Sequence, residues 1–197
     1  MSNNINKADI DDSRLVIDLK DGNERAYRQL VGKYQAKLRN VAYGITLDVE
    51  ESADIIQDVF LKAYMGIGKF KGESSLYTWL RRITINESLN WVRKWKRRFK
   101  WQHQSLDQED GSSLDIESDK AGPEDKVSNN QVAGILKEAL DKLPEKARAV
   151  LILKEVEGLS YEEIGDLLGI SKGTVSSRIF YAREKLRGYL KGIESED

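Results

Sequence analysis

The sequence predicts an all-α fold of two small helical domains joined by a flexible acidic linker. Three observations carry that expectation. Apolar residues recur at spacings of three and four along the chain, and no stretch shows the defensible period of two that a half-buried strand requires. Glycines, capping residues and one proline punctuate that pattern at helix-length intervals. Charge is segregated: Arg81 to Lys100 holds eight basic residues against Glu87, and Trp101 to Asp125 holds eight acidic residues against Lys120. The net charge of −1 conceals these two opposite segments.

Residues 1–12 form a polar tail. Leu15, Val16 and Leu19 predict a short first helix that stops at Asp21-Gly22. Asn23 caps a long second helix, along which Ala26, Leu30, Tyr34, Leu38, Val41 and Ile45 form one buried stripe. A third helix, roughly 49–67, places Ile56, Val59, Phe60, Ala63 and Ile67 on one side and Asp54, Gln57, Asp58 and Leu61 on the other. The pattern leaves two readings of the second side, a solvated surface or a docking surface for a basic partner. The loop GIGKFKGESS follows, and no Gly-Lys-Ser/Thr spacing makes it a phosphate loop. Its serines can cap a fourth helix reaching about Trp95, where Leu76, Trp79, Leu80, Ile83, Ile85 and Leu89 interleave with Arg81, Arg82, Asn86, Asn90 and Arg93. Rings beside guanidinium groups suit an opened nucleic-acid strand, although tryptophans at helical spacing also serve as core.

Residues 101–128 read as the linker. Beyond it, Val132 to Leu143 carry a fifth helix, and Pro144 opens a sixth that runs to Gly158. The stretch Leu159 to Leu186 then has the form of a helix-turn-helix. Ser160 and Glu163 are a capping box, Gly169-Ile170-Ser171 makes the turn, and Val175, Ile179, Ala182 and Leu186 line one arc of the second helix. The opposite arc carries Ser176, Ser177, Phe180, Tyr181 and Arg187, with Lys172, Arg178 and Arg183 on its flanks, a surface suited to base edges and phosphates.

Several functions are set aside by composition. With no cysteine and one histidine, His103, thiolate and multi-histidine metal sites are not available, and no cofactor or metal is expected. The Asp54/Asp58 pair has no histidine or further acid cluster to support acid-base or metal chemistry, so no catalytic residue is assigned and the protein is not expected to be an enzyme. No apolar run approaches the ~18 residues of a membrane span, and the N-terminus lacks a signal-peptide core. A soluble, cytoplasmic protein without membrane insertion is expected.

Taken in order, the motifs resemble a bacterial sigma factor of the extracytoplasmic-function group in the RNA polymerase sigma-70 family, over nearly the whole chain. Ala53 to Tyr64 resembles the family's polymerase-binding segment, Phe70 to Asn86 its promoter-melting segment, and Gly169 to Arg187 its upstream-element reader. The resemblance implies a region 2-like domain at 13–100 and a region 4-like domain at 129–197. It implies that Asp54, Gln57, Asp58 and Leu61 meet core RNA polymerase, with Phe60 in the matching segment but on the core stripe. It implies that Lys71, Gly72, Glu73, Ser74 and Ser75 pocket a flipped base of the minus-ten element, with Trp79, Arg81, Arg82, Asn86 and Arg93 near the opened strands. Ser176, Ser177, Phe180 and Tyr181 match the minus-thirty-five reader, flanked by Lys172, Thr174, Arg178 and Arg183. Ser176 and Tyr181 stand where a basic side chain is frequent, so relatives do not supply the promoter sequence. The implied function is promoter-specific transcription initiation as an alternative sigma factor, and the implied partners are core RNA polymerase, promoter DNA and an anti-sigma factor. The competing reading is a stand-alone helix-turn-helix regulator, which would not need the Asp54, Gln57 and Asp58 face.

Overall fold

A computed structural model describes residues 7–106 and 125–194, with side chains over 12–98 and 133–191. All regular elements among the described residues are helical. Helix α1 spans Lys7–Lys20 and is followed by α2, Glu24–Thr46, and α3, Val49–Gly66. A short 3-10 turn, Ile67–Lys69, leads through the loop to α4, Leu76–Leu106. After residues 107–124, the part of the expected linker that lies outside the described residues, come α5 (Asp125–Asp141), α6 (Glu145–Glu155), α7 (Tyr161–Leu168) and α8 (Lys172–Glu194). Three differences from the expected limits stand out. Helix α1 begins inside the expected tail, α4 continues past Trp95 to Leu106, and α5 begins at Asp125, so both ends of the expected linker 101–128 are helical.

The ends of the helices follow from local chemistry. The Asn23 side chain accepts from the Arg25 amide at 2.9 Å, and Asp48 accepts from the Glu51 amide at 2.9 Å, so each satisfies an orphan donor at the start of α2 or α3. Helix α2 ends on Leu47 at φ 61, the one non-glycine residue at positive φ among those described. Its amide donates to the Tyr43 carbonyl at 2.7 Å. Burial of the leucine side chain, 6% exposed, offsets the strain of the left-handed backbone.

Helices α1 to α4 enclose a first core in which Leu30, Leu38, Val59, Phe60 and Leu80 are almost fully buried. Asp12 fastens α1 to α2, accepting from Tyr34 Oη at 2.5 Å and Lys33 Nζ at 2.7 Å. Burial, and then the hydrogen bond to Asp12, hold the Tyr34 phenol well above its usual range.

The predicted stripe of α2 divides between two cores. Its 23 residues give a rod of about 34 Å. Ala26 to Leu38 face the first core, whereas Val41 and Ile45 join Ile85 and Val92 of α4 in a second apolar cluster with Val150 and Leu153 of α6, Ile164 and Leu167 of α7, and Val175 and Ile179 of α8. The two domains are therefore in apolar contact. Gly44 makes the close approach possible, since a Cβ there would lie 3.0 Å from Ile152 of α6. A smaller cluster around Leu143, Ala147, Leu151 and Ala182 ties α5 and α6 to α8. Buried Arg148 donates to the Leu140 carbonyl at 3.2 Å and pairs with Asp141 at 3.4 Å, which fastens the α5–α6 corner.

Candidate functional site

The helix-turn-helix forms from α7 and α8 as the local signals require. Glu163 N–H donates to Ser160 Oγ at 3.2 Å, and Ser160 N–H donates to Glu163 Oε2 at 2.8 Å, closing both halves of the capping box. Gly169 caps α7 at φ 64, and Ser171 Oγ accepts from the Thr174 amide at 3.2 Å to start α8. Sequence reasoning missed Gly165. A Cβ at this position would stand 2.8 Å from the Ile170 carbonyl oxygen, so the turn closes tightly only over a glycine. The signal was a glycine inside an apolar helical pattern, which by itself reads as a weak helix position.

On α8, Val175, Ile179 and Ala182 are 0–1% exposed, and Leu186 packs partly buried beside them. The other arc faces outward: Phe180 is 69% and Tyr181 41% exposed, and Ser176 and Ser177 are exposed beside them. Two flanking cations are held by acids of the same domain, Lys172 by Glu162 and Arg183 by Glu155, the latter at 2.6 Å. The Lys172 hydrogen bond lowers the Glu162 carboxyl below its usual range, and the Glu155 hydrogen bond raises the Arg183 guanidinium. Arg178 is half-buried, as is Thr174.

The outer face of α3 exposes Asp54, Gln57, Asp58 and Leu61, while Phe60 is 3% exposed in the first core. The face is more apolar than the predicted set indicates. Leu61, Tyr64 and Met65 are 55%, 42% and 77% exposed, and Leu61 and Tyr64 border a groove of about 380 Å³ with Tyr27 and Arg28. Tyr64 and Met65 were missed because sequence alone did not separate them from the buried side of the helix.

The loop before α4 is shaped by Gly72 at φ 77 and by Ser75, whose Oγ accepts from the Thr78 amide at 3.1 Å. Lys71, Gly72, Ser74 and Ser75 border a cavity of about 430 Å³, while Glu73 is exposed in the same loop. The opposite wall was not foreseen: Asp12, Ser13, Val16 and Lys20 of α1 supply it, and Lys20 Nζ donates to the Phe70 carbonyl at 3.0 Å. Contacts across fifty residues of sequence leave no local pattern. Trp79 is half-buried, its ring 5.2 Å from that of Phe70.

Along α4 the predicted basic residues divide. Asn86 and Arg93 are exposed, Arg93 donating to Asn90 Oδ1 at 2.8 Å, and a basic groove of about 330 Å³ runs past Asn90, Arg93, Lys94 and Arg97. Arg81, by contrast, is 7% exposed and pairs at 3.0 Å with Glu157 from the α6–α7 corner. Tyr77 Oη donates to the same carboxylate oxygen at 2.7 Å. Burial and that hydrogen bond hold the Tyr77 phenol well above its usual range. Arg82 is exposed but donates to the Asp166 carbonyl at 3.2 Å.

Comparison with known proteins matches this arrangement to one family. Residues 30–98 match the description "Sigma-70 region 2" and residues 133–186 "Sigma-70, region 4". The RNA polymerase sigma-H factor of Pseudomonas aeruginosa is 37% identical over 190 residues, covering 94% of this chain and 96% of that relative. The ECF RNA polymerase sigma-E factors of Haemophilus influenzae and Escherichia coli strain K12 are 33% and 34% identical, over 92% and 89% of this chain and 96% and 92% of theirs. The chain belongs to the extracytoplasmic-function group of the sigma-70 family. It is an alternative sigma factor, a transcription-initiation protein. Among solved structures, the sigma factor RpoE of Bartonella quintana, in complex with the anti-sigma factor NepR, is 28% identical with a TM-score of 0.61, covering 84% of this sigma factor and 96% of that chain. CnrH, solved with the cytosolic domain of CnrY, shares the fold at 24% identity and a TM-score of 0.63, over 92% and 97% of the two chains. No helix among the described residues is long and apolar enough to cross a membrane, and no cluster of three or more potential metal-ligating side chains occurs among them.

Proposed function

We propose that this sigma factor joins core RNA polymerase through the outer face of α3 and reads two promoter elements with its two domains, taken as residues 13–100 and 129–197. Asp54, Gln57 and Asp58 offer charge and hydrogen bonds to a basic partner surface, and Leu61, with Tyr64 and Met65, supplies the apolar contact that gives such a face affinity as well as steering. Lys71 to Ser75 and the α1 wall receive an unstacked base of the minus-ten element, with Trp79 behind the loop. Arg81, Arg82, Asn86 and Arg93 hold the opened strands. Ser176, Ser177, Phe180 and Tyr181 read the minus-thirty-five element while Lys172, Thr174, Arg178 and Arg183 contact the backbone around it.

The observation that carries this reading is the outward face of α8. Its two aromatic rings stand exposed opposite an arc of buried Val175, Ile179 and Ala182 with partly buried Leu186, an arrangement that suits insertion into a DNA groove. On this reading the protein makes and breaks no bonds, needs no cofactor and works in the cytoplasm where polymerase and promoters are. An anti-sigma factor is a further partner, as the relative RpoE has in NepR. Co-elution with purified core polymerase tests the α3 assignment. The wild type should co-elute, and Asp54→Lys with Asp58→Lys should not, while both bind upstream-element duplex equally. Undiminished co-elution of the double variant would remove the α3 face from the account.

A further inference from the structure

Every cation of α8 between Lys172 and Arg187 is either engaged or set to one side. Lys172 is paired with Glu162, Arg183 with Glu155 at 2.6 Å and Arg187 with Glu184. Lys185 Nζ stands 5.8 Å from the centre of the Tyr181 ring. Arg178 is half-buried, one helical turn from buried Val175 and close to one from Ala182. Two of the hydroxyls on this face are engaged as well. Ser177 Oγ donates to the Thr174 carbonyl at 3.1 Å, and the Ser171 and Thr174 hydroxyls share a hydrogen bond of 2.9 Å. What α8 holds out opposite its buried arc is therefore mainly carbon, the rings of Phe180 and Tyr181.

The major-groove edges of the bases divide along the same line. Guanine presents two acceptors, O6 and N7, that a bidentate arginine or lysine fills, whereas thymine presents the one apolar group, its C5 methyl. A face of rings whose neighbouring cations are committed to carboxylates matches thymine. Drawing Lys172 or Arg183 away to reach a guanine would leave Glu162 or Glu155 as a bare carboxylate beside the phosphates, a like-charge contact that lowers affinity. Left in their pairs, both cations stay at the flanks of the helix, where phosphates and not base edges pass.

We propose that α8 reads the minus-thirty-five element through thymine methyl groups, with the Phe180 and Tyr181 rings packed against the C5 methyls of neighbouring T·A pairs and no bidentate contact to guanine. A cytosine at the same site offers no methyl, so the helix selects T·A over C·G by the presence of one apolar group.

This deepens the reading of α8 as the upstream-element helix and rests on it, and the experiment separates the two. Holoenzyme assembled from the full chain and core polymerase is bound to duplexes spanning both elements of a promoter mapped by run-off transcription. Within the upstream element, single thymines are exchanged for uracil, which removes only the methyl, and single guanines for 7-deazaguanine, which removes the N7 acceptor. At least one uracil exchange should weaken binding by about fourfold, the effect of one buried methyl. Phe180→Ala or Tyr181→Ala should abolish that penalty, and since both rings are exposed their removal leaves the buried arc intact. The 7-deazaguanine exchanges should leave binding unchanged, whereas breaking a bidentate contact would weaken it by about fivefold or more. Uracil exchanges without effect, a uracil penalty that persists in both ring variants, or a fivefold loss with 7-deazaguanine would each overturn the methyl reading. Scrambling the whole upstream element tests the underlying assignment by itself. Binding unmoved by scrambling would remove α8 as the reader and the methyl reading with it; binding lost on scrambling but kept through every uracil exchange would remove the methyl reading alone.

Discussion

Gly165 offers a test in which two opposing effects have calculable sizes. In an ordinary helix interior, replacing glycine with alanine stabilises by about 1 kcal/mol, because alanine loses less backbone entropy. At Gly165 the added Cβ meets the Ile170 carbonyl oxygen at 2.8 Å, and that oxygen belongs to the backbone of the turn. It cannot swing away like a side chain, since the Ile170 amide is itself tied to the Gly165 carbonyl at 3.0 Å. Overpacking of this kind costs about 1–3 kcal/mol, which exceeds the propensity gain over most of its range. Gly165→Ala should therefore lose up to about 2 kcal/mol. Gly188→Ala, on α8 with nothing within 4 Å of the new Cβ, should gain up to about 1 kcal/mol. Thermal unfolding followed by helical circular dichroism reads the difference, at about 2–4 °C per kcal/mol for a chain of this size. The Gly165 variant should also bind upstream-element duplex more weakly, because opening the turn displaces α8 from α7. A Gly165→Ala midpoint raised as far as that of Gly188→Ala would refute the close-approach argument.

Other consequences follow from the same geometry. Phe180→Ala and Tyr181→Ala should each alter discrimination at the minus-thirty-five element by roughly 1–3 kcal/mol, measured by competition among duplex variants; equal weakening on every sequence would make them supports and not readers. Lys20→Ala removes the hydrogen bond to the Phe70 carbonyl and should weaken minus-ten capture by the holoenzyme by about 0.5–1.5 kcal/mol, leaving upstream-duplex binding unchanged. Lys96 holds the Glu145 carboxyl below its usual value of 4.5, so this pair stabilises the folded protein above that pH and the contribution is lost as pH falls through the depressed value. The wild type should accordingly unfold at higher temperature than Glu145→Gln near neutrality, with the gap closing in acid; a gap independent of pH would exclude this linkage.

Much of the fold was legible because its signals are local. The capping box at Ser160, the turn at Gly169 and the stripe Val175, Ile179, Ala182 each depend on neighbours within a few residues, and α7 and α8 follow them closely. The stripe of α2 was equally clear, but an apolar face does not name what covers it. Val41 and Ile45 read as part of one core and instead meet the second domain. Arg81 shows the same limit for charge. Its place in a basic run pointed outward to DNA, and only the fold reveals the carboxylate of Glu157, seventy-six residues away, that buries it. The α1 wall of the loop cavity and the role of Gly165 were hidden for a related reason, since close approach is a property of two segments and leaves no mark in either alone.

The most direct test of the account is run-off transcription with purified core RNA polymerase on fragmented genomic DNA of the source organism, with and without this sigma factor. The account predicts new start sites that appear only with the protein, share two upstream elements, and disappear with the Asp54→Lys, Asp58→Lys variant. Sequence-specific DNA binding by the protein alone, with no start site gained from polymerase, would contradict it.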